Sequence, residues 1–312
     1  MDSEHTTTIV FFANGPFAIP SLELLSKHFN TVVVTNPPKP AGRGKRLTPT
    51  VIEQKAKELG LPIIHAPKSL KDPEFIKKIK ELNSPLGVVV AFRILPEEII
   101  SIFPYGIINL HPSLLPAYRG PAPIQWAIIN GEEKTGITTI LISKDVDAGP
   151  ILMQKEEPIY PEDTTGILSE RLSVKGSHLL LESINKWLRK EIVPKPQEGT
   201  PTPAPKLNKE NTRINWDEPA DLILRKIRAF NPVPYAWTVE THSNKRFKIV
   251  EAGLSSADVN LQPGKAITTK KEIIVGTGTR PIILKKLIPE GKKTMEAPQF
   301  LAGWQNKPLN FA

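Results

Sequence analysis

Apolar runs short enough to be buried strands alternate with stretches of helical spacing along the first half of the chain. Thr8-Ile-Val-Phe-Phe-Ala13 is apolar almost throughout, as a strand covered on both faces is. Asn14-Gly15-Pro16 turns the chain, and Phe17, Leu22, Leu24 and Leu25 then predict a helix within Phe17 to His28. Thr31 to Thr35 predicts a second buried strand, Val51 to Leu59 a helix, and Pro62 to Pro67 a short strand and turn. Residues 73–82 read as a basic amphipathic helix and Leu86 to Ala91 as another buried strand. Such a strand–helix–strand opening predicts an α/β fold with a doubly wound, Rossmann-like, mostly parallel sheet. Further on, Trp126 to Ile129 reads as helix and Thr135 to Ser143 as a strand. Glu162 to Glu191 reads as a long amphipathic helix, with Leu168, Leu172, Leu179, Leu180, Ile184, Trp187 and Leu188 on its core side.

The pattern changes at Pro194-Lys-Pro-Gln-Glu-Gly-Thr-Pro-Thr-Pro-Ala-Pro205, whose prolines predict an extended, semi-rigid linker. Beyond it, a helix from Ala220 to Ala229 precedes short β signals at Ala236–Glu240, Arg246–Val250, Pro263–Lys265, Glu272–Val275 and Pro281–Leu284. Their even spacing predicts a small, OB-fold-like antiparallel barrel. The expected organisation is therefore a domain over 1–193, a linker over 194–205 and a second domain over 206–312. Charge sharpens that division. The formal net charge is +9, yet residues 1–205 carry 23 basic and 22 acidic side chains, and residues 206–312 carry 18 and 10. A basic second module suggests a polyanionic partner, most simply nucleic acid. Cysteine is absent, which excludes disulfides, thiolate nucleophiles and cysteine zinc sites. No apolar run reaches the length of a membrane span. The polar start Met1-Asp-Ser-Glu-His-Thr is unlike a signal peptide, so the expected compartment is the cytoplasm.

The most chemically pointed stretch is Tyr105-Gly-Ile-Ile-Asn109-Leu-His111-Pro112, a strand running into a loop. Asn109 and His111 are two apart and leave the strand on one face, while Ile108 and Leu110 face the other. Pro112 keeps His111 extended and stops the ladder. In open α/β sheets, ligands bind at the carboxyl ends of strands. There an amide can stabilise a developing oxyanion and an imidazole can take a proton near neutral pH, a combination suited to acyl transfer. Lys144-Asp145-Val-Asp147-Ala-Gly149 brings a carboxylate that could orient the imidazole. Spacing does not choose between Asp145 and Asp147. Two other features invite plainer readings. His65 and His178 read as structural, and Gly276-Thr-Gly-Thr as a hairpin turn. The long loop Asn36 to Thr50 carries Lys39, Arg43, Lys45 and Arg46 without an acid, so it reads as a basic arm for a phosphate backbone. Gly42-Arg-Gly-Lys45 is too short for a P-loop.

The run Asn109-Leu-His111-Pro-Ser113-Leu114-Leu115-Pro116-x-Tyr-Arg119-Gly120-Pro-Ala-Pro-Ile resembles the formyltransferases that use 10-formyltetrahydrofolate. Pro40-Ala-Gly-Arg-Gly-Lys-x-Leu-Thr-Pro is similar to the inserted loop of the tRNA members of that group. Ile227 to Pro232 and Pro289 to Met295 are similar to parts of their carboxyl domain, so the likeness runs from about Ile9 to Gly303. The resemblance implies a formyl donor, 10-formyltetrahydrofolate, and methionyl initiator tRNA as acceptor, with no metal and a single chain as the working unit. It implies catalytic roles for Asn109, His111 and, of the two acids, Asp147. It places the folate near Ser113, Leu114, Leu115, Pro116, Phe92, Ile94 and Leu95, and tRNA near Lys39, Arg43, Lys45 and Arg46. Arg225 and Arg228, on the basic side of the Ala220–Ala229 helix, are further tRNA candidates. Two positions depart from the family pattern, the Asn14-Gly15-Pro16 turn and Arg93 where Gly is usual. Relatives acting on glycinamide ribonucleotide or amino-sugar nucleotides would keep the Asn109/His111/Asp147 set and change the acceptor. A tRNA-binding protein without activity is the non-enzyme alternative.

Overall fold

The computed structural model describes residues 7–41, 46–304 and 308–312. In chain order come β1 (Thr8–Ala13), α1 (Ile19–Leu25), β2 (Asn30–Thr35), β3 (Lys39–Ala41), β4 (Arg46–Thr48), α2 (Val51–Glu58), β5 (Ile63–His65) and α3 (Pro73–Glu81). Then follow β6 (Leu86–Val90), α4 (Glu97–Ile100), β7 (Ile107–His111), α5 (Pro123–Asn130), β8 (Lys134–Leu141), β9 (Ile151–Pro158) and α6 (Thr165–Leu188). The last third holds α7 (Ala220–Ala229), β10 (Ala236–Glu240), β11 (Lys245–Leu254), β12 (Ala266–Thr268), β13 (Ile273–Val275), β14 (Ile282–Pro289), β15 (Met295–Glu296) and α8 (Ala297–Trp304). Packing divides the chain into two compact units. The first takes residues 1–120, 135–158 and 169–204; the second takes 121–134, 159–168 and 205–312.

The first unit is built on a seven-stranded sheet in the order β5-β2-β1-β6-β7-β8-β9. β1 pairs in parallel with both β2 and β6, and β6 pairs in parallel with β7. The sheet is the doubly wound, mostly parallel one the sequence predicts. β1 is central, and Phe11 and Phe12 are fully buried, as expected of a strand covered on both faces. β8 runs antiparallel to β7. β9 has no counterpart among the sequence-predicted strands, because Gln154-Lys-Glu-Glu breaks its apolar pattern. Thr50 caps α2 by accepting from the Glu53 N–H, and Asp72 caps α3. Each cap satisfies backbone donors that a helix leaves unpaired at its start. His65 pairs with the buried Glu53 at 3.0 Å. His178, by contrast, is exposed and outside the core side of α6.

The second unit carries a six-stranded antiparallel sheet in the order β10-β11-β14-β13-β12, with β15 on β14. Irregular register between Ile249 and Ala252 bends β11. The last residues close the gap between the two sheet edges. Phe311 bridges Glu240 at the end of β10, and Asn310 bridges Lys265 beside β12. Phe247 anchors the interior, with Phe300 at 5.5 Å and Phe311 at 5.8 Å. This is the small barrel expected from the even strand spacing, sealed by a segment that carries no strand signal of its own.

Candidate active site

On β7, Ile108 and Leu110 are buried on one face and Asn109 and His111 occupy the other. Ile107, on the same side as Asn109, belongs to an apolar cluster with Phe12, Val89, Leu95 and Phe103. The side chains along this face therefore pass from apolar to polar toward the carboxyl end of the strand. The Asn109 amide is half-buried and has no hydrogen-bond partner among the described residues. His111 is 4% exposed and its Nε2 lies 2.9 Å from the Tyr118 carbonyl. A carbonyl only accepts, so Nε2 carries the proton and Nδ1 is left as the basic nitrogen. Burial pushes the imidazole below its ordinary pKa, against the upward pull of Asp147 and the Tyr118 carbonyl. Burial therefore favours the neutral form of the ring.

The loop after β7 is fixed from β8 and β9. Thr138 Oγ1 donates to the Ser113 carbonyl at 2.6 Å and accepts from the Leu115 N–H at 3.2 Å. Gln154 Nε2 donates to the Leu115 carbonyl at 2.7 Å, and Ser113 Oγ to the Ala117 carbonyl at 2.6 Å. Thr138 and Gln154 carried no signal in the sequence beyond being polar residues within or beside strands.

Asp147 arrives by a less direct path. Because β8 is antiparallel, its end at Leu141 lies opposite Ile108, while His111 lies opposite Thr138. The loop from 142 to 150 must run back along β7 by about three residues, roughly 10 Å at strand spacing. It does so, and Asp147 Oδ1 stands 3.7 Å from His111 Nδ1. Its Oδ2 accepts from the Gly120 N–H at 2.9 Å. Asp147 has φ 53°, and Tyr118 and Ala91 have φ 62° and 52°. Such backbones cost on the order of 1–3 kcal/mol each and persist only where surrounding contacts enforce them. All three belong to segments that follow strands bordering the site. The arrangement offers one free amide donor, one basic nitrogen and one carboxylate to polarise it. Among the described residues Asp147, and not Asp145, is the carboxylate paired with His111.

A "Formyl transferase" family model matches residues 9–184, and a "Formyl transferase, C-terminal domain" model matches residues 206–305. The methionyl-tRNA formyltransferase of Thermodesulfovibrio yellowstonii is 45% identical over 298 residues, covering 95% of each chain. This chain belongs to the methionyl-tRNA formyltransferase family. Two solved structures of lower identity share its fold. The N-formyltransferase of Helicobacter canadensis, solved with folinic acid and dTDP-3-aminofucose, superposes with a TM-score of 0.67 at 20% identity, over 89% of this chain and 99% of that one. HypX from Aquifex aeolicus, solved with tetrahydrofolic acid, gives 0.65 at 18% identity, over 97% of this chain and 50% of that one.

The remaining residues implied by the family resemblance are distributed as follows. Leu95 is buried, Phe92 half-buried 5.7 Å from Phe12, and Ile94 is 75% exposed. Ser113 and Leu115 are buried, with Leu114 and Pro116 half-buried. Arg93, the departure from the family pattern, reaches away from β7. Its guanidinium donates to the Pro67 and Lys68 carbonyls at 2.9 and 3.1 Å and lies over the Phe92 ring. Lys39 and Arg46 are exposed on the β3–β4 hairpin, where Lys39 pairs with Thr48. Arg43 and Lys45 lie outside the described residues. Arg225 and Arg228 are half-buried, Arg225 against Gly131 and Arg228 near Glu162 and Asp163. No group of three potential metal ligands occurs among the described residues, and no helix among them is long and apolar enough to cross a membrane.

Proposed function

We propose that this enzyme moves the formyl group of 10-formyltetrahydrofolate onto the α-amine of methionyl initiator tRNA, for translation initiation. The observation that carries the reading is the Asn109 amide, without a hydrogen-bond partner among the described residues, beside the buried His111 and Asp147. When bound, the folate supplies the formyl carbon to the attacking amine. Asn109 donates to the formyl oxygen as negative charge gathers there. His111 Nδ1 takes the proton that the amine loses as its new C–N bond forms, and Asp147 stabilises the resulting imidazolium. The same proton can pass to the folate nitrogen as the old C–N bond breaks. In this reading Phe92, Ile94, Leu95, Ser113, Leu114, Leu115 and Pro116 lie around the folate ring, the exposed Ile94 and the half-buried Phe92 and Leu114 offering it apolar contact.

Lys39, Arg43, Lys45 and Arg46 take the tRNA backbone in this reading, and Arg225 and Arg228 lie on the basic second domain, 206–312, that helps hold it. Residues 1–193 form the catalytic domain, and the enzyme works as a single chain in the cytoplasm. The test is a transfer assay with 10-formyltetrahydrofolate and three acceptors: methionyl initiator tRNA, free methionine and an amino-sugar nucleotide. Transfer to the charged tRNA alone is expected. Transfer to the sugar nucleotide in its place keeps the chemistry and overturns the acceptor, and no transfer to any amine leaves a tRNA-binding protein.

A further inference from the structure

The proline-rich stretch that separates the two family matches is laced to the active-site loops of the first unit. Lys195 exchanges backbone hydrogen bonds with Ile151, its N–H donating at 2.8 Å and its carbonyl accepting at 2.7 Å. Thr202 accepts from the Arg119 N–H through its carbonyl and from the Tyr118 N–H through its hydroxyl, both at 2.9 Å. The Ala204 N–H donates to the Arg119 carbonyl at 2.7 Å. Between these ties sits Gln197. Its amide nitrogen donates to the carbonyls of Asp147 itself, at 2.7 Å, and of Gly149, at 2.9 Å. Its amide oxygen accepts two bonds from Arg119, from Nε at 3.1 Å and Nη2 at 2.6 Å. The amide is oriented unambiguously, because Arg119 can only donate and the two carbonyls can only accept.

We infer that Gln197 and Arg119 are positioning residues that clamp the 147–149 backbone and so set the Asp147 carboxylate against His111. β8 ends level with Ile108, so its ladder does not carry Asp147 to His111. Asp147 also holds a left-handed backbone, which needs external contacts to persist, and Gln197 holds its carbonyl. Gly120, whose N–H meets the carboxylate, is bounded on its other side by the same strap. A Cβ there would lie 2.6 Å from the Ala204 carbonyl oxygen. The strap therefore supports Asp147 from both its backbone and its side chain. Neither Gln197 nor Arg119 needs to touch substrate for this.

The inference rests on the reading of Asp147 given above, and the experiment separates the two. Gln197→Ala and Gln197→Glu are assayed in the full-length enzyme, alone and in an Asp147→Asn background, for kcat and for KM of both substrates. Glu keeps the size and the bonds to Arg119 but turns a carboxylate toward two carbonyls. It tests the proposal even where the Ala variant fails to fold. The expected result is a fall in kcat of about 10- to 100-fold, typical of a misplaced catalytic group, with KM nearly unchanged. In the Asp147→Asn background the same substitutions change kcat less than about threefold, as expected for residues that act through one another. A fully additive loss, or normal kcat in Gln197→Glu, overturns the clamp. An Asp147→Asn enzyme with normal turnover overturns the reading of Asp147 beneath it.

Discussion

Asn109 and His111 differ from Asp147 in what holds them. The first two sit on a parallel strand in a seven-stranded sheet, and the alternation of a strand puts them side by side whatever the loops do. Asp147 sits in a loop whose flanking strand runs the wrong way to deliver it. Its place depends on a left-handed backbone, one N–H from Gly120 and contacts from residues about fifty positions downstream. Within one site, a ladder fixes one part and separate loop contacts fix the other. Substitutions should therefore separate into those that remove chemistry and leave the frame, and those that disturb the frame and lose chemistry with it.

The largest expected effect is on the strand side. The Asn109 amide has no hydrogen-bond partner among the described residues, so Asn109→Ala leaves no buried group there unpaired and the melting temperature is expected to be unchanged. Turnover is expected to fall by about 100- to 1,000-fold, the cost of deleting one oxyanion donor. Thermal melting together with steady-state kinetics checks both halves. Near-normal kcat removes the oxyanion role, and a large drop in melting temperature places Asn109 in the frame.

The loop side predicts the opposite pairing. A Cβ on Gly149 would lie 1.7 Å from the Leu141 carbonyl oxygen, which is backbone and cannot swing aside. Gly149→Ala should push the 147–149 segment off β8, lowering the melting temperature and reducing turnover by about tenfold or more through displacement of Asp147. A folded, fully active Gly149→Ala enzyme would show that the segment tolerates the shift, and would break the contrast.

These differences explain what could be seen in the sequence. The parallel strands announce themselves as apolar runs, and the Asn-x-His spacing places two side chains on one face without further information. Which acid serves His111 does not follow from spacing, because Asp145 and Asp147 differ only by how a non-regular loop folds back. Gln197 was invisible for a related reason. Its partners at 119, 147 and 149 are distant in sequence, and a Gln among prolines looks like part of a solvated linker. The prolines do keep the stretch extended, but what it pairs with is tertiary information. The barrel has the same split. Its strands show in the short apolar stretches between turns, whereas its closure by residues 310 and 311 depends on contacts with β10 and β12 that no local pattern records.

A finer probe is the titration of His111, which responds to the electrostatic coupling between the two sides of the site. Burial holds its pKa below the ordinary value of about 6.5 and Asp147 opposes that. As pH falls through that range, the unfolded chain takes up a proton that native His111 does not, so this group's share of stability is lost toward acid. Imidazole NMR of the free protein, with His111→Gln to identify the signal, should show titration below 6.5. Asp147→Asn should move it lower still, since the attraction that favours the imidazolium is gone. A rise on removing Asp147 would mean that the carboxylate does not face the ring.

The smallest effect expected is on the strand side again, at Thr138. Its hydroxyl donates to Ser113, accepts from Leu115 and accepts from Gln154 at 3.0 Å. Thr138→Val keeps the shape and removes all three, leaving a buried N–H without its partner at a cost of about 1–3 kcal/mol. That cost falls on the loop 113–116 rather than on β7, which keeps its own ladder to β6 and β8. Stability should fall by that amount in denaturant unfolding, KM for the folate should rise a few-fold, and kcat should hold within about threefold, because Asn109 and His111 have not moved. A loss of kcat as large as that of Asn109→Ala would mean the strand pair also leans on the loop, and the division between ladder-held and loop-held groups would no longer describe this site.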